Sequence, residues 1–519
     1  MSFFNRGDTA AAEQRCHQLL ASARSPDALH LLGLCLLRTD RTQAAIESLR
    51  EAIRLAPDNA QLQHDLGRAH SARGDWRAAA EAYLRAIDLR PDYAETYLYL
   101  GPVYEQVGDT ATAERAYRRA LELDPRLATA AASLAALYEK QNCLEEAQQL
   151  TTDALKLDPQ DTVANLTQAQ LQIRAGCDAE AAERLKTLLQ QPLSPWNRAI
   201  AASRLGTAYD KLDDTEQAFA AFIVGKDALR NADLSTLETG VYSRETAMRI
   251  SRHAEKLLET VGPAPGNTPA PVFLVGFPRS GTTLLDQILS SHPRLRVLEE
   301  KDTLLELLRI WSASDAKLTQ LETMPSAAFE NEQQAYWKRV QAQLGEPLGD
   351  RILVDKLPLY SQNLPLIHRF FPGARYLFAV RDPRDVVLSC FMHSFGLNEA
   401  MRHFLTLEGT ADYYAAVMDV AVKSLPRLGA SAYRLRYEDL VDDLEKEARR
   451  LCEFLGVPWD EAMLHSHDKA KGRRINTPSY HQVVQPVYRT ALERWRRYAT
   501  PLAPVLARLQ PYVEFFGYA

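Results

Sequence analysis

A period of 34 residues runs through the first half of the chain and limits what that half can become. Pro57, Pro91, Pro125 and Pro159 stand 34 apart. Gly33, Gly67 and Gly101 keep the same step, and Ala135 and Ala169 continue it. In the unit AETYLYLGPVYEQVGDTATAERAYRRALELDP, Tyr97, Leu100, Gly101 and Tyr104 recur at helical spacing. Ala113, Tyr117 and Ala120 do the same on a second helix, and Pro125 ends the unit because proline cannot continue the hydrogen-bond ladder. Small residues at Gly101 and Ala113 let the two helices approach closely. Each unit leaves an apolar face that only the next unit can cover, so the units stack into a solenoid. On this periodicity Tyr83, Tyr97, Tyr104 and Tyr117 read as core packing.

The array resembles the tetratricopeptide repeat over roughly residues 10 to 230, with four clear units and degenerate ones at each end. The resemblance implies a concave groove able to take a peptide. Residues 1–257 are therefore assigned to the solenoid, and 258–270 to a linker, because LETVGPAPGNTPAP is dense in Pro and Gly. A net charge of −6 excludes a wholesale nucleic-acid binder. The six cysteines form no CxxC, which argues against a disulfide scaffold or zinc ribbon and for free thiols in a reducing compartment. The N-terminus lacks a signal-peptide pattern, and no stretch approaches the roughly 20 apolar residues that span a bilayer. A cytoplasmic location is expected.

After Pro271 the pattern alternates. PVFLVGF (271–277), RILVDK (351–356), ARYLFAVRD (374–382) and AYRLRYEDL (432–440) are short apolar runs separated by helical stretches. That alternation predicts an α/β domain with a parallel sheet, whose ligands bind at the carboxyl ends of the strands. The candidates are thus the loop after Val275, Lys356, Arg381 and Tyr437. In VGFPRSGTTLL, Gly276, four residues, then Gly281, Thr282 and Thr283 keep the spacing of a nucleotide P-loop. Thr282 stands where that loop carries lysine. Backbone N–H groups and the following helix can still hold an anion. Arg279 and Lys356 can supply positive charge, and no Walker-B-like run follows. The loop is expected to hold one compact anionic group rather than a magnesium triphosphate. VRDPRDVVLS places Arg381 at a strand end and Ser389 about two turns along a helix that Pro383 opens. One cofactor could join both sites, its 5′ end in the loop and its ribose 3′-phosphate at Arg381 and Ser389. 3′-Phosphoadenosine 5′-phosphosulfate (PAPS) is such a cofactor.

PRSGTTLL together with VRDPRDVVLS resembles the PAPS-dependent sulfotransferases, and most of all the tyrosylprotein sulfotransferases, over roughly residues 271 to 500 of the assigned domain 271–519. The resemblance implies that Pro278, Arg279, Ser280, Gly281, Thr282 and Thr283 hold the donor's 5′ end. It implies that Arg381 and Ser389 hold the 3′-phosphate, and that Tyr437 lies near the adenosine. A late cofactor loop matches SYHQVVQPVY, with Ser479, Gln482 and Val483, and Arg494 before Trp495 matches a basic residue. The resemblance further implies that Glu300, in SHPRLRVLEEKD, is the catalytic base, and that Lys356 matches the family's lysine after the second strand; Lys356 and Arg279 are expected to stabilise charge. On a helix adjacent residues point about 100° apart, so only one of Glu299 and Glu300 is expected to face the sulfate. Two departures from the family are Asp302 and His393, which stand where it has arginines; the first leaves the acceptor least secure. The family's animal members are membrane-anchored, and the repeat fusion resembles a class of bacterial proteins.

The expected activity is PAPS-dependent transfer of a sulfuryl group to an acceptor hydroxyl, a tyrosine of a protein or peptide, with PAP as product and no metal. Alternatives are a carbohydrate or small-molecule acceptor with the repeats serving assembly, an inactive scaffold, and a P-loop kinase. The expected partners are a protein or peptide acceptor in the repeat groove and, in a homodimer, a second copy of the chain; no nucleic acid and no membrane span are expected. His292 is read as a helix-end residue. LHSHD is not read as a metal site, because His465 and His467 do not share a helical face. KAKGRR (469–474) is either a phosphate contact or a solvated loop.

Overall fold

The periodic glycines of the first half are small because a large side chain of the next helix occupies their space: Leu49 at Gly33, and tyrosine rings at the next two. A Cβ at Gly101 would stand 2.3 Å from the ring of Tyr117, and one at Gly67 would stand 2.5 Å from the ring of Tyr83. Both tyrosines are buried, whereas Tyr97 and Tyr104 are only half-buried. The computed structural model describes residues 4, 6–230, 240–259, 270–466 and 492–518. Helices of 12 to 14 residues follow one another from Thr9–Ser22 to Asp178–Leu189. Their inward faces are built from small and aliphatic residues such as Ala45, Ala79, Ala113 and Ala147, each fully buried. This is an all-helical tetratricopeptide solenoid.

The chain divides into two units, Met1–Gln190 and Gln191–Ala519. The break falls well before residue 257, where the sequence assignment ended the solenoid. Three longer helices, Pro195–Lys211, Thr215–Arg230 and Arg244–Glu259, belong to the second unit. The reason is burial: Phe222, Ile250 and Leu257 share one core with Phe273, Phe277 and Phe378 of the sheet region. Lys423 Nζ also donates to the Ser251 carbonyl at 2.9 Å. Of the expected linker, residues 260–269 lie outside the described residues.

The sheet of the second unit has five parallel strands: β1 (Val272–Gly276), β2 (Leu295–Glu299), β3 (Ile352–Lys356), β4 (Arg375–Val380) and β5 (Ala432–Arg436). Their order is β2-β3-β1-β4-β5. Four match the apolar runs; β2 was not expected, and it carries the Glu299–Glu300 pair to the sheet edge. Central β1 is wholly buried, as a strand covered on both faces must be. Phe273 and Val275 enter one core. Val272 and Leu274 enter another, which contains Leu285, Ile288 and Leu289 of the helix after the loop and Leu451 and Leu455 of a later helix. Alternation along one strand thus packs two helical layers on the sheet. Among the described residues no helix is long and apolar enough to cross a membrane.

The shared core gives an expected outcome for truncation. A fragment beginning at residue 191 should melt cooperatively. One beginning at residue 270 should aggregate or melt at a clearly lower temperature, because it exposes the faces that Phe222, Ile250 and Leu257 cover. Equal melting temperatures by circular dichroism would put the boundary back near 257.

Candidate active site

β1 runs directly into the glycine loop. A Cβ at Gly276 would lie 2.7 Å from the Ala379 carbonyl of β4, so only glycine allows the strands this approach. The chain then turns through two left-handed residues, Arg279 (φ 71°) and Gly281 (φ 95°). Such turns direct successive N–H groups into one concavity, an arrangement suited to anions. A Cβ at Gly281 would meet the Tyr437 ring at 2.6 Å. Thr282 and Thr283, both buried, open the helix Thr282–Ser291, whose start has no side-chain cap. Its first N–H groups and its positive dipole end point toward the loop.

The second anion motif meets the first. Arg279 Nε donates to Ser389 Oγ at 3.0 Å. Arg381 Nη1 donates to the Arg279 carbonyl at 3.3 Å. The Cys390 thiol donates to the Pro278 carbonyl at 3.3 Å. Ser389 and Cys390 lie on the helix Pro383–Met392, which starts just beyond β4 and which Asp382 caps through the Arg384 N–H. Because β1 and β4 are neighbours in the sheet, loop and helix leave adjacent strand ends. The Arg381 guanidinium stands over the Tyr437 ring at 5.1 Å, and 3.7 Å from Asp385 Oδ2. Burial pushes the Asp385 carboxyl up to about 6, with Arg381 pulling it down.

On the other side of β1, Lys356 ends β3 and is fully buried. Its Nζ lies 2.8 Å from Glu300 Oε1, 3.5 Å from Glu299 Oε1 and 3.9 Å from Asp286 Oδ2. Burial works against the ammonium, but the charges of Glu300, Asp286 and Glu299 outweigh it, and its pKa is raised. The carboxylate pair sits at a strand end, not on a helix as the sequence reading had it. Strand neighbours alternate faces, yet both carboxylates reach Lys356, because Glu300 adopts φ 47°. A left-handed glutamate costs on the order of 1–3 kcal/mol, so the surroundings must hold it. The Glu300 N–H donates to the Lys356 carbonyl at 2.8 Å, which provides part of that hold. Glu300 is the more open of the two, at 38% side-chain exposure against 14% for Glu299.

Sequence reasoning missed two buried carboxylates here. Asp286 lies one helical turn past Thr282, and that spacing was its available signal. Asp355 precedes Lys356 and points to the opposite face. It accepts from Thr303 Oγ1 at 2.7 Å and from the Tyr336 hydroxyl at 3.0 Å. Burial raises its carboxyl to about 7. Other expected residues stand apart. Arg494 pairs with Asp210 at 2.6 Å, and its neighbour Trp495 makes the link to the second anion helix, donating its N–H to Asp385 at 2.8 Å under the Arg384 guanidinium. His292 follows the loop helix and joins the Pro458 carbonyl at 2.8 Å, as a helix-end residue. Ser479, Gln482 and Val483, with His467 and residues 469–474, lie outside the described residues.

Fold and site together describe a helical-repeat protein that carries a parallel-sheet domain with a lysine-free glycine loop. Residues 271–461 match the sulfotransferase family model. Residues 67–108 match a TPR repeat model, and 1–60 and 100–162 a tetratricopeptide repeat model. The chain belongs to the sulfotransferase family. It is 31% identical over 263 residues to protein-tyrosine sulfotransferase 1 of Danio rerio, a match covering 46% of this chain and 71% of that protein. It is 31% identical over 268 residues to protein-tyrosine sulfotransferase 1 of Homo sapiens, covering 47% of this chain and 70% of that one. An uncharacterized protein of Aquifex aeolicus is 28% identical over 350 residues, or 64% of this chain, of which this chain spans only 44%.

The loop geometry yields a stability test. Gly281→Ala places a methyl group both in the left-handed region and against Tyr437. It should destabilise the protein by about 1–3 kcal/mol. An unchanged urea midpoint would mean that the loop does not need glycine there.

Proposed function

We propose that the protein is a PAPS-dependent sulfotransferase that sulfates a hydroxyl group, a tyrosine of a protein or peptide, and that the repeat solenoid recruits the acceptor. The observation that carries this reading is the junction of the two anion motifs through Arg279 and Ser389, 3.0 Å apart. Their residues fit a nucleotide with phosphates at both ends: the left-handed loop and Thr282–Thr283 for the 5′-phosphate, Arg381 and Ser389 for the 3′-phosphate, with Tyr437 beside them. The likeness to protein-tyrosine sulfotransferases supports the choice of acceptor.

When bound, PAPS supplies the sulfuryl group and departs as PAP. Glu300 takes the proton of the acceptor hydroxyl as the oxygen–sulfur bond forms, a role worth about 10²–10⁴-fold. Lys356 and Arg279 balance the negative charge that grows on the departing oxygen. Charge stabilisation by side chains and in-line positioning are the main demands of such a transfer. Glu300 and Lys356 hold each other at 2.8 Å. An acceptor hydroxyl at Glu300 replaces one side of that pair.

Labelled PAPS offered with a tyrosine-peptide panel and a glycan panel tests the reading: label should enter tyrosine peptides. Label in glycans alone would move the acceptor to carbohydrate, and no transfer to either would remove the proposal. Glu300→Gln should bind PAP as the parent does while turnover falls by about 10²–10⁴-fold; near-parental turnover would take Glu300 out of the mechanism.

A further inference from the structure

The loop helix carries a carboxylate that the reaction outlined above does not use. Asp286 is completely buried. Its Oδ1 accepts from Ser290 Oγ at 2.9 Å. Its Oδ2 is buried without a hydrogen-bond donor and lies 3.9 Å from Lys356 Nζ. A buried carboxylate with an open oxygen is expensive unless a charge answers it. The charge in reach is Lys356, which faces Asp286 from the loop helix and Glu299 and Glu300 from the end of β2. Of the three, Glu299 and Glu300 sit at the end of β2, with 14% and 38% side-chain exposure. Asp286 alone is sealed in the helical layer and cannot leave the lysine.

We infer that Asp286 is a positioning residue, which keeps the Lys356 ammonium in place and charged while Glu300 turns to the acceptor. The inference rests on the proposed transfer for its role in turnover, but not for its electrostatics. Without Asp286, neutralising Glu300 by the acceptor proton would leave Lys356 with Glu299 only. With it, the ammonium keeps a fixed counter-charge through the step.

The test separates the two claims. With lysines carrying a ¹³C label at Cε, the Lys356 resonance is assigned by its loss in Lys356→Arg, and its titration is followed by NMR. In Asp286→Asn the ammonium should lose its proton at a pH lower by roughly one unit or more than in the parent. With PAPS, the same variant should show the alkaline limb of kcat displaced downward in pH, with the donor KM changed less than kcat. Ser290→Ala keeps the charge and should titrate like the parent. An unmoved Lys356 titration in Asp286→Asn would overturn the inference, as would an equal displacement in Ser290→Ala, which would make the effect one of packing. If Asp286→Asn does not fold, Ser290→Ala with Glu299→Gln serves: the latter should lower the Lys356 titration yet leave the lysine charged at neutral pH, and a neutral lysine there would show Asp286 to be ineffective. A displaced NMR titration in a protein that transfers nothing from PAPS would sink the proposed function and leave the electrostatics of Asp286 standing.

Discussion

The hydrogen bond from the Arg279 guanidinium to the Ser389 hydroxyl joins two sequence motifs that lie 110 residues apart. It is possible because the sheet order sets β1 beside β4, so the glycine loop and the helix Pro383–Met392 emerge from neighbouring strand ends. Arg381 adds a second tie through the Arg279 carbonyl. A left-handed arginine within the loop turns its side chain across to the helix rather than into solvent. Were β1 and β4 separated by another strand, about 4.8 Å per strand would intervene, and neither contact could form. In the proposed reading, this junction lets one nucleotide be held at both phosphates.

The chemistry on the other flank depends on a different neighbour relation. β3 lies between β1 and β2, so Lys356 is presented between the loop helix and the carboxylate pair. In the proposed reading, a lysine in that position offsets the absence of one inside the loop. The P-loop lysine is replaced by Thr282, and a cation arrives from the adjacent strand instead. Being buried, that cation is held by carboxylates from two elements, and its charge survives burial because they outnumber it. The left-handed backbone at Glu300 is the local strain by which both carboxylates reach one ammonium. Strain of this kind persists where surrounding bonds hold the backbone, and the bond from the Glu300 N–H to the Lys356 carbonyl is one of them.

The repeat phase of the solenoid was legible because small residues recur every 34 residues, and at Gly33, Gly67 and Gly101 each makes room for a large side chain of the next helix. Its end was not. An amphipathic helix such as Arg244–Glu259 declares that it has a buried face but not which unit buries it. Four strands were legible as apolar runs. β2 was hidden because it is an edge strand, where Arg296 and Glu299 are tolerated. The glycine loop and the strand-end arginine were readable as elements, since glycine spacing and an apolar run ending in arginine are local signals. The partner of Arg494 was not, because Asp210 lies 284 residues earlier. Nothing local marks Glu300 as left-handed either; glutamate ordinarily avoids that region.

The central claim is that the loop and the Arg381–Ser389 helix form a single site for a nucleotide with phosphates at both ends. Calorimetric titration of the intact protein with adenosine 3′,5′-bisphosphate and with adenosine 5′-monophosphate tests it most directly. The bisphosphate should bind one to one and at least about tenfold tighter, the value of one further charge-assisted hydrogen bond. Equal affinity for the two nucleotides would show that nothing holds the 3′-phosphate and would contradict the account.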